Sequence, residues 1–150
     1  MSNAPLIERY LGVPLLRLHD AVYQKTNGRI GHRFPAMPPS LLLHTVGAKT
    51  GQARTTSLTY ASDNGSYLIV ASNGGQDRSP GWYYNLRAHP QVEVNVGPKR
   101  FPVTATVLSN ADDPEYARLW QVVNRNNQNR YRGYQKRTAR TIPIVVLTPR

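Results

Sequence analysis

Residues 54–72 read RTTSLTYASDNGSYLIVAS, two runs rich in β-branched and aromatic residues on either side of Asp63-Asn64-Gly65. Asn and Gly tolerate the positive φ angles that tight two-residue turns require, so this spelling predicts a β-hairpin. A hairpin makes its strands antiparallel neighbours, which constrains the fold more than any other stretch of the chain. The pattern recurs further on. Residues 91–96 (QVEVNV) alternate strictly, Gly97-Pro98 turns, and residues 100–108 continue as another strand. Residues 41–46 (LLLHTV) supply a first strand, 54–61 a second, 66–72 a third, and 141–147 (TIPIVVL) a last one.

Helical signals are fewer. Apolar residues at 7, 11, 15, 18 and 22 form a stripe interrupted by Gly12 and Pro14, followed by a Gly/Pro-rich loop over 26–40. Ser79-Pro80 predicts a helix start with Ser79 as N-cap, the helix running to His89-Pro90. Acids at 112, 113 and 115 suit the N-terminus of a helix reaching about Asn126, and a short basic segment covers 129–138. The expectation is a mainly β (α+β) fold: an antiparallel barrel of six or seven strands, closed or split, with helices packed outside. At 150 residues the chain fits one domain, 1–150, with a helical segment over about the first 25 residues.

Composition removes several chemistries. With no cysteine there are no disulfides, thiolate metal sites, iron–sulfur clusters or thiol nucleophiles. Histidines at 19, 32, 44 and 89 show no ligand spacing, so no metal site is expected. Glu8 and Arg9 break the early apolar stretch, so a secretory leader is not expected. No run approaches the ~20 apolar residues of a membrane span. A cytoplasmic protein is the expectation, with the apolar stripe of the N-terminal helix a candidate for peripheral contact at the inner face of the membrane. The formal charge of +11 favours anionic partners. Seven basic residues and no acid lie between positions 118 and 140, which equally fits a solvated helix face.

Four stretches could carry chemistry. Residues 44–58 (HTVGAKTGQARTTSL) hold Lys49, Thr50 and Arg54 around a turn, with no carboxylate. A nucleotide phosphate loop is excluded, because Lys49-Thr50 precedes Gly51 and a strand, not a helix, follows. The backbone amides of Gly47 and Gly51, with the two cations, could still hold a phosphate; a plain basic turn fits too. Ser72-Asn73-Gly74-Gly75 would let a planar ligand approach the backbone, or would simply end a strand. In WYYNL, Trp82 and Asn85 share a helix face and could meet one ligand, although core packing explains aromatic residues equally. Tyr131 and Tyr134, three apart, could form the outer wall of a redox site or a surface staple. No hydrolase elbow, carboxylate pair or general-base histidine assembles, which points to chemistry carried by a cofactor.

In order along the chain, GRIGHRF (28–34), LLLHTVGAKTGQART (41–55), LIVASNGGQDRSPGWYYNL (68–86), AHPQVEV (88–94) and RTIPIVV (140–146) resemble the deazaflavin-dependent nitroreductases of actinobacteria. The resemblance implies an FMN-binding-like split β-barrel and coenzyme F420, a 5-deazaflavin with a phosphodiester and a polyglutamate tail; FMN is the alternative cofactor. It implies that Lys49, Thr50 and Arg54 face the phosphate and tail, with Ala48 and Gly51 also among the cofactor-binding residues. Thr55, Thr56, Ser57, Leu58 and Thr59, with Val70, Ala71, Ser72 and Asn73, would line the deazaflavin. Gly81, Trp82, Tyr83, Tyr84 and Asn85 would close its other side. Ala48 and Asn73 depart from the family, which often places a basic residue at each, and the basic run 118–140 could compensate.

The activity so implied is hydride transfer from reduced F420 to a quinone, activated alkene or nitroaromatic. Ser72 would donate a hydrogen bond, with Tyr131 and Tyr134 as wall and proton source. The alternatives are an F420 or flavin carrier without turnover and, lower, a nucleic-acid-binding module; nucleic acid is not expected as a partner. Monomer and homodimer remain equally open.

Overall fold

The computed structural model describes residues 38–150. The N-terminal stripe and the GRIGHRF stretch lie outside the described residues. Seven strands form one antiparallel sheet: β1 (Ser40–Val46), β2 (Ala53–Thr59), β3 (Ala61–Asp63), β4 (Ser66–Val70), β5 (Gln91–Val96), β6 (Lys99–Leu108) and β7 (Ile144–Pro149). Their spatial order is β2-β1-β5-β6-β7-β4-β3. Among the described residues three α-helices accompany them, α1 (Gly81–Ala88), α2 (Pro114–Asn126) and α3 (Arg130–Gln135), with a 3-10 turn at Asn73–Gly75.

The expected single strand over 54–61 is two strands, broken at Tyr60. That break decides the architecture. β2 and β3 stand at opposite ends of the strand order yet are separated by one residue. Two peptide steps span at most about 7 Å, so the sheet must curl until its edges meet. The result is a split β-barrel. Tyr60 is buried, donates its N–H to the Pro39 carbonyl at 3.0 Å and accepts at its own carbonyl from Asn126 Nδ2 at 2.9 Å. Its N–H is thus taken by the residue that leads into β1, and the strand cannot run straight through.

The hairpin over Asp63-Asn64-Gly65 forms as expected, with Asp63 opposite Ser66 and φ of 48° and 82° at Asn64 and Gly65. Arg118 of α2 clamps it, donating to both Asp63 carboxylate oxygens at 2.9 Å and to Glu115 at 2.7 Å. Hydrogen bonding from Arg118 holds the Asp63 carboxyl below its ordinary range. Asp113 caps α2 by accepting from the Glu115 amide, with Pro114 following.

Two cores flank the sheet. Leu41, Leu43, Ile69, Val94, Val145 and Leu147 pack with Trp82, Tyr83 and Leu86 of α1. On the other side, Leu68, Val70, Ile142 and Ile144 pack with Tyr116, Leu119 and Val123 of α2 and Tyr131 of α3. β4 and β7 therefore bury both faces, which is why SYLIV and IPIVVL read as apolar runs without alternation.

Tyr116 donates its hydroxyl to the Ile142 carbonyl at 2.6 Å, and burial pushes both Tyr116 and Tyr131 up to about 12 from 10.0. A phenol that keeps its proton longer in the folded state stabilises the fold fully below the unfolded value and loses that contribution as pH rises towards the folded one. Urea melts should therefore show constant stability from pH 8 to about 10 and a steep decline towards 12, and Tyr131→Phe should remove about 2 kcal/mol of that decline.

Candidate functional site

β1 ends in the turn 47–52, which is held together by its own backbone. The Gly47 amide donates to the Gln52 carbonyl at 2.8 Å, and the Gly51 amide donates to the Gly47 carbonyl at 2.9 Å. The expectation that these two amides face an anion is therefore corrected: both are used inside the turn. Thr50 is also partly structural, since its Oγ1 accepts from the Gln52 amide at 3.2 Å. A Cβ on Gly47 would lie 2.5 Å from that hydroxyl, so the turn requires glycine there. The amides of Lys49 and Thr50 have no acceptor among the described residues.

Asn85 of α1 joins this turn to the helix. Its Oδ1 accepts from the Ala48 amide at 3.0 Å, and its Nδ2 donates to Thr45 Oγ1 at 3.4 Å. Between turn and helix lies a cleft of about 560 Å³. The turn side contributes Thr45, Gly47, Ala48, Lys49 and Thr50, and β2 contributes Arg54 and Thr56. The far wall is Arg78 with Gly81, Trp82, Tyr84 and Asn85 of α1. Among the described residues the lining thus carries three cations and no carboxylate. Trp82 and Asn85 share the cleft face, as their spacing predicts, whereas Tyr83 turns into the core with Arg87 stacked 5.7 Å from its ring centroid.

The remaining residues expected around a cofactor lie elsewhere. Gly51 sits at the exposed end of the turn with φ 69°. Thr55 accompanies His44, whose Nδ1 lies 3.1 Å from Thr55 Oγ1 and whose Nε2 lies 2.5 Å from Asn95 Oδ1. Leu58 packs against the first core, and Ser57 and Thr59 continue β2 away from the cleft lining. Val70 and Ala71 are buried.

The loop after β4 is organised by one guanidinium. Arg140 donates to the carbonyls of Ala71, Ser72, Gln76 and Arg78 at 3.2, 3.0, 2.8 and 3.4 Å. It also donates to Ser79 Oγ at 3.1 Å. Ser79 therefore does not cap α1: Pro80 occupies the N-cap, and the Ser79 hydroxyl belongs to Arg140. Asn73 spends its amide on the same loop, donating to the Arg78 carbonyl at 2.9 Å. Gly75 is buried with φ 86°, and a Cβ there would meet the Tyr134 carbonyl at 2.6 Å, so loop and α3 are in close contact.

Ser72, Tyr131 and Tyr134 are not in the cleft lining. Tyr131 belongs to the second core, edge-on to Tyr134 with ring centroids 6.4 Å apart. Four of the seven cations of the basic run are engaged within the protein. Arg118 and Arg140 are bound as described, Arg132 donates to Gln121 and Asn129, and Arg137 lies over the Tyr134 ring. Those side chains are struts. The residue that sequence reasoning missed is Arg78, on the cleft wall, one of three cations there and the only one outside the segment 44–58.

Comparison with known proteins agrees with the geometry. The model of the F420H(2)-dependent quinone reductase family matches residues 15–149. An F420H(2)-dependent quinone reductase of Mycobacterium tuberculosis (strain ATCC 25618 / H37Rv) is 69% identical over 150 residues, all of both chains. A solved F420-H2 dependent reductase is 36% identical, with a TM-score of 0.64 over 73% of this chain and 93% of its own. Another solved chain, described as a domain-swapped dimer, is 31% identical, with a TM-score of 0.67 over 91% and 98%.

Asn85→Ala should release the turn from α1. The expected signature is faster hydrogen exchange at the Ala48 amide and a loss of about 1–2 kcal/mol in urea melts. Unchanged Ala48 exchange would show that the turn holds its place without the amide.

Proposed function

The chain belongs to the F420H(2)-dependent quinone reductase family, and from that premise we propose that the cleft between the turn and α1 is its cofactor groove. The protein is an F420-dependent oxidoreductase that reduces a quinone. When bound, reduced F420 supplies the hydride.

The observation that carries the assignment is the lining: Lys49, Arg54 and Arg78 without an acid, beside the aromatic faces of Trp82 and Tyr84. A planar ring bearing a phosphodiester and several carboxylates uses both features, whereas a neutral planar ligand has no use for the three cations. Lys49 and Arg54, with the amides of Lys49 and Thr50, hold the phosphodiester. Trp82 lines the inner wall of the groove but is only 8% exposed, so the deazaflavin meets the small part of its ring that reaches the surface. Asn85 binds nothing itself; it fixes the spacing of the two walls.

For the acceptor we assign Ser72 and Tyr134, which stand outside the cleft lining and would meet an acceptor that extends from the groove over the loop before α1. The Ser72 carbonyl is fixed by Arg140 and by the Gly75 amide at 2.9 Å, which leaves the hydroxyl as the donor towards a quinone oxygen. Tyr134 is half-buried beside that loop and supplies the outer wall. Tyr131, buried in the second core and edge-on to Tyr134, supports Tyr134 from within. The candidate for peripheral membrane contact, the apolar stripe over residues 7–22, lies outside the described residues; no described helix is long and apolar enough to cross a membrane.

Anaerobic mixing of reduced F420 with menadione should be accelerated by the protein well above buffer, and no acceleration would overturn the activity. In fluorescence titrations Lys49→Ala/Arg54→Ala should weaken F420 binding by at least about tenfold, some 1.4 kcal/mol, with the loss shrinking in high salt. Unchanged affinity would remove the groove assignment.

A further inference from the structure

We infer that Arg78 reads the glutamate tail of the cofactor, pairing with its carboxylates at the rim of the cleft, an inference that rests on the cleft being the cofactor groove. Arg78 lines the wall opposite Lys49 and Arg54. Its guanidinium carbon lies 5.4 Å from the Tyr84 ring centroid. Stacking of this kind restrains the plane of the guanidinium and leaves its N–H edge free for bidentate contact with carboxylates.

The neighbourhood makes the side chain available. The Arg78 carbonyl is anchored by Asn73 and Arg140, so the residue has a fixed backbone. Its sequence neighbour Asp77 is engaged by the Thr138 hydroxyl at 2.7 Å. Arg78 itself has no carboxylate partner among the described residues. It is exposed, whereas Trp82 in the same cleft is buried. Lys49 and Arg54 on the opposite wall are exposed as well, so the whole cationic rim opens to solvent, and with those two on the phosphodiester Arg78 is the cation left for a flexible polyanionic tail. Asn73, which carries no charge, contributes by holding Arg78 in place.

The test uses the full chain with three probes: the deazaflavin nucleus without phosphodiester, the cofactor with phosphodiester but no glutamates, and the cofactor with several glutamates. Wild type, Arg78→Met and Arg78→Lys are titrated by fluorescence, with thermal melts to show that both variants fold. Arg78→Met should bind the first two probes within about twofold of wild type and the long-tailed cofactor about tenfold more weakly. Arg78→Lys, keeping charge but not the planar fork, should fall between. Equal losses on the two phosphodiester-bearing probes, or no loss on any, would overturn the inference while leaving the groove standing. If wild type binds none of the three, the groove assignment fails and the inference with it.

Discussion

Tyr60 is the only residue between the two edge strands of the sheet, and a covalent link that short leaves no route but curling. The consequences reach the cleft. Once the sheet has come round, β4 and β5 are not neighbours, and the connection between them must cross the barrel. That crossing is the loop 71–80 and α1. It packs on the first core, and its Asn85 reaches the end of β1. The cleft is thus a product of topology: a turn that closes one strand pair and a helix that crosses from one strand to another, fastened by a single amide.

Charge is put to two different uses. Arg118 and Arg140 replace what would otherwise be unsupported loops, each binding several acceptors at once, and Arg's planar, always-charged fork suits it for such work. Lys49, Arg54 and Arg78 instead gather around a cleft without an acid. The formal excess of +11 does not distinguish the two sets. Only partners do. Struts find carbonyls and carboxylates of their own chain, and binding cations are left to find theirs in a ligand.

This explains which parts of the protein could be read along the chain. The hairpin at Asn64-Gly65, the shared face of Trp82 and Asn85 and most strand positions follow from local periodicity and turn chemistry, whereas the last strand runs Ile144–Pro149 instead of 141–147. The Tyr60 break was illegible because LTYAS contains no turn residue; the break comes from Pro39 and Asn126, both far from it in sequence. Ser79 looked like an N-cap by its neighbours, yet Arg140, 61 residues later, takes its hydroxyl. The Gly47 and Gly51 amides looked available because a turn's internal hydrogen bonds cannot be counted from its letters. Arg78 went unnoticed for the same reason: a lone arginine in a loop shows its value only when the opposite wall is in place. Of the two departures from the family, Asn73 uses its side-chain amide to hold the Arg78 carbonyl, and nothing in the structure explains the alanine at 48.

The most direct test of a shared cleft uses its own chromophore. The chain has two tryptophans, Trp82 in the cleft and Trp120 on α2. In a Trp120→Phe variant, emission comes from Trp82 alone. Titration with oxidised F420 should quench it saturably, with a midpoint equal to that from the cofactor's own fluorescence. Binding that leaves Trp82 emission unchanged would place the cofactor elsewhere and contradict the account.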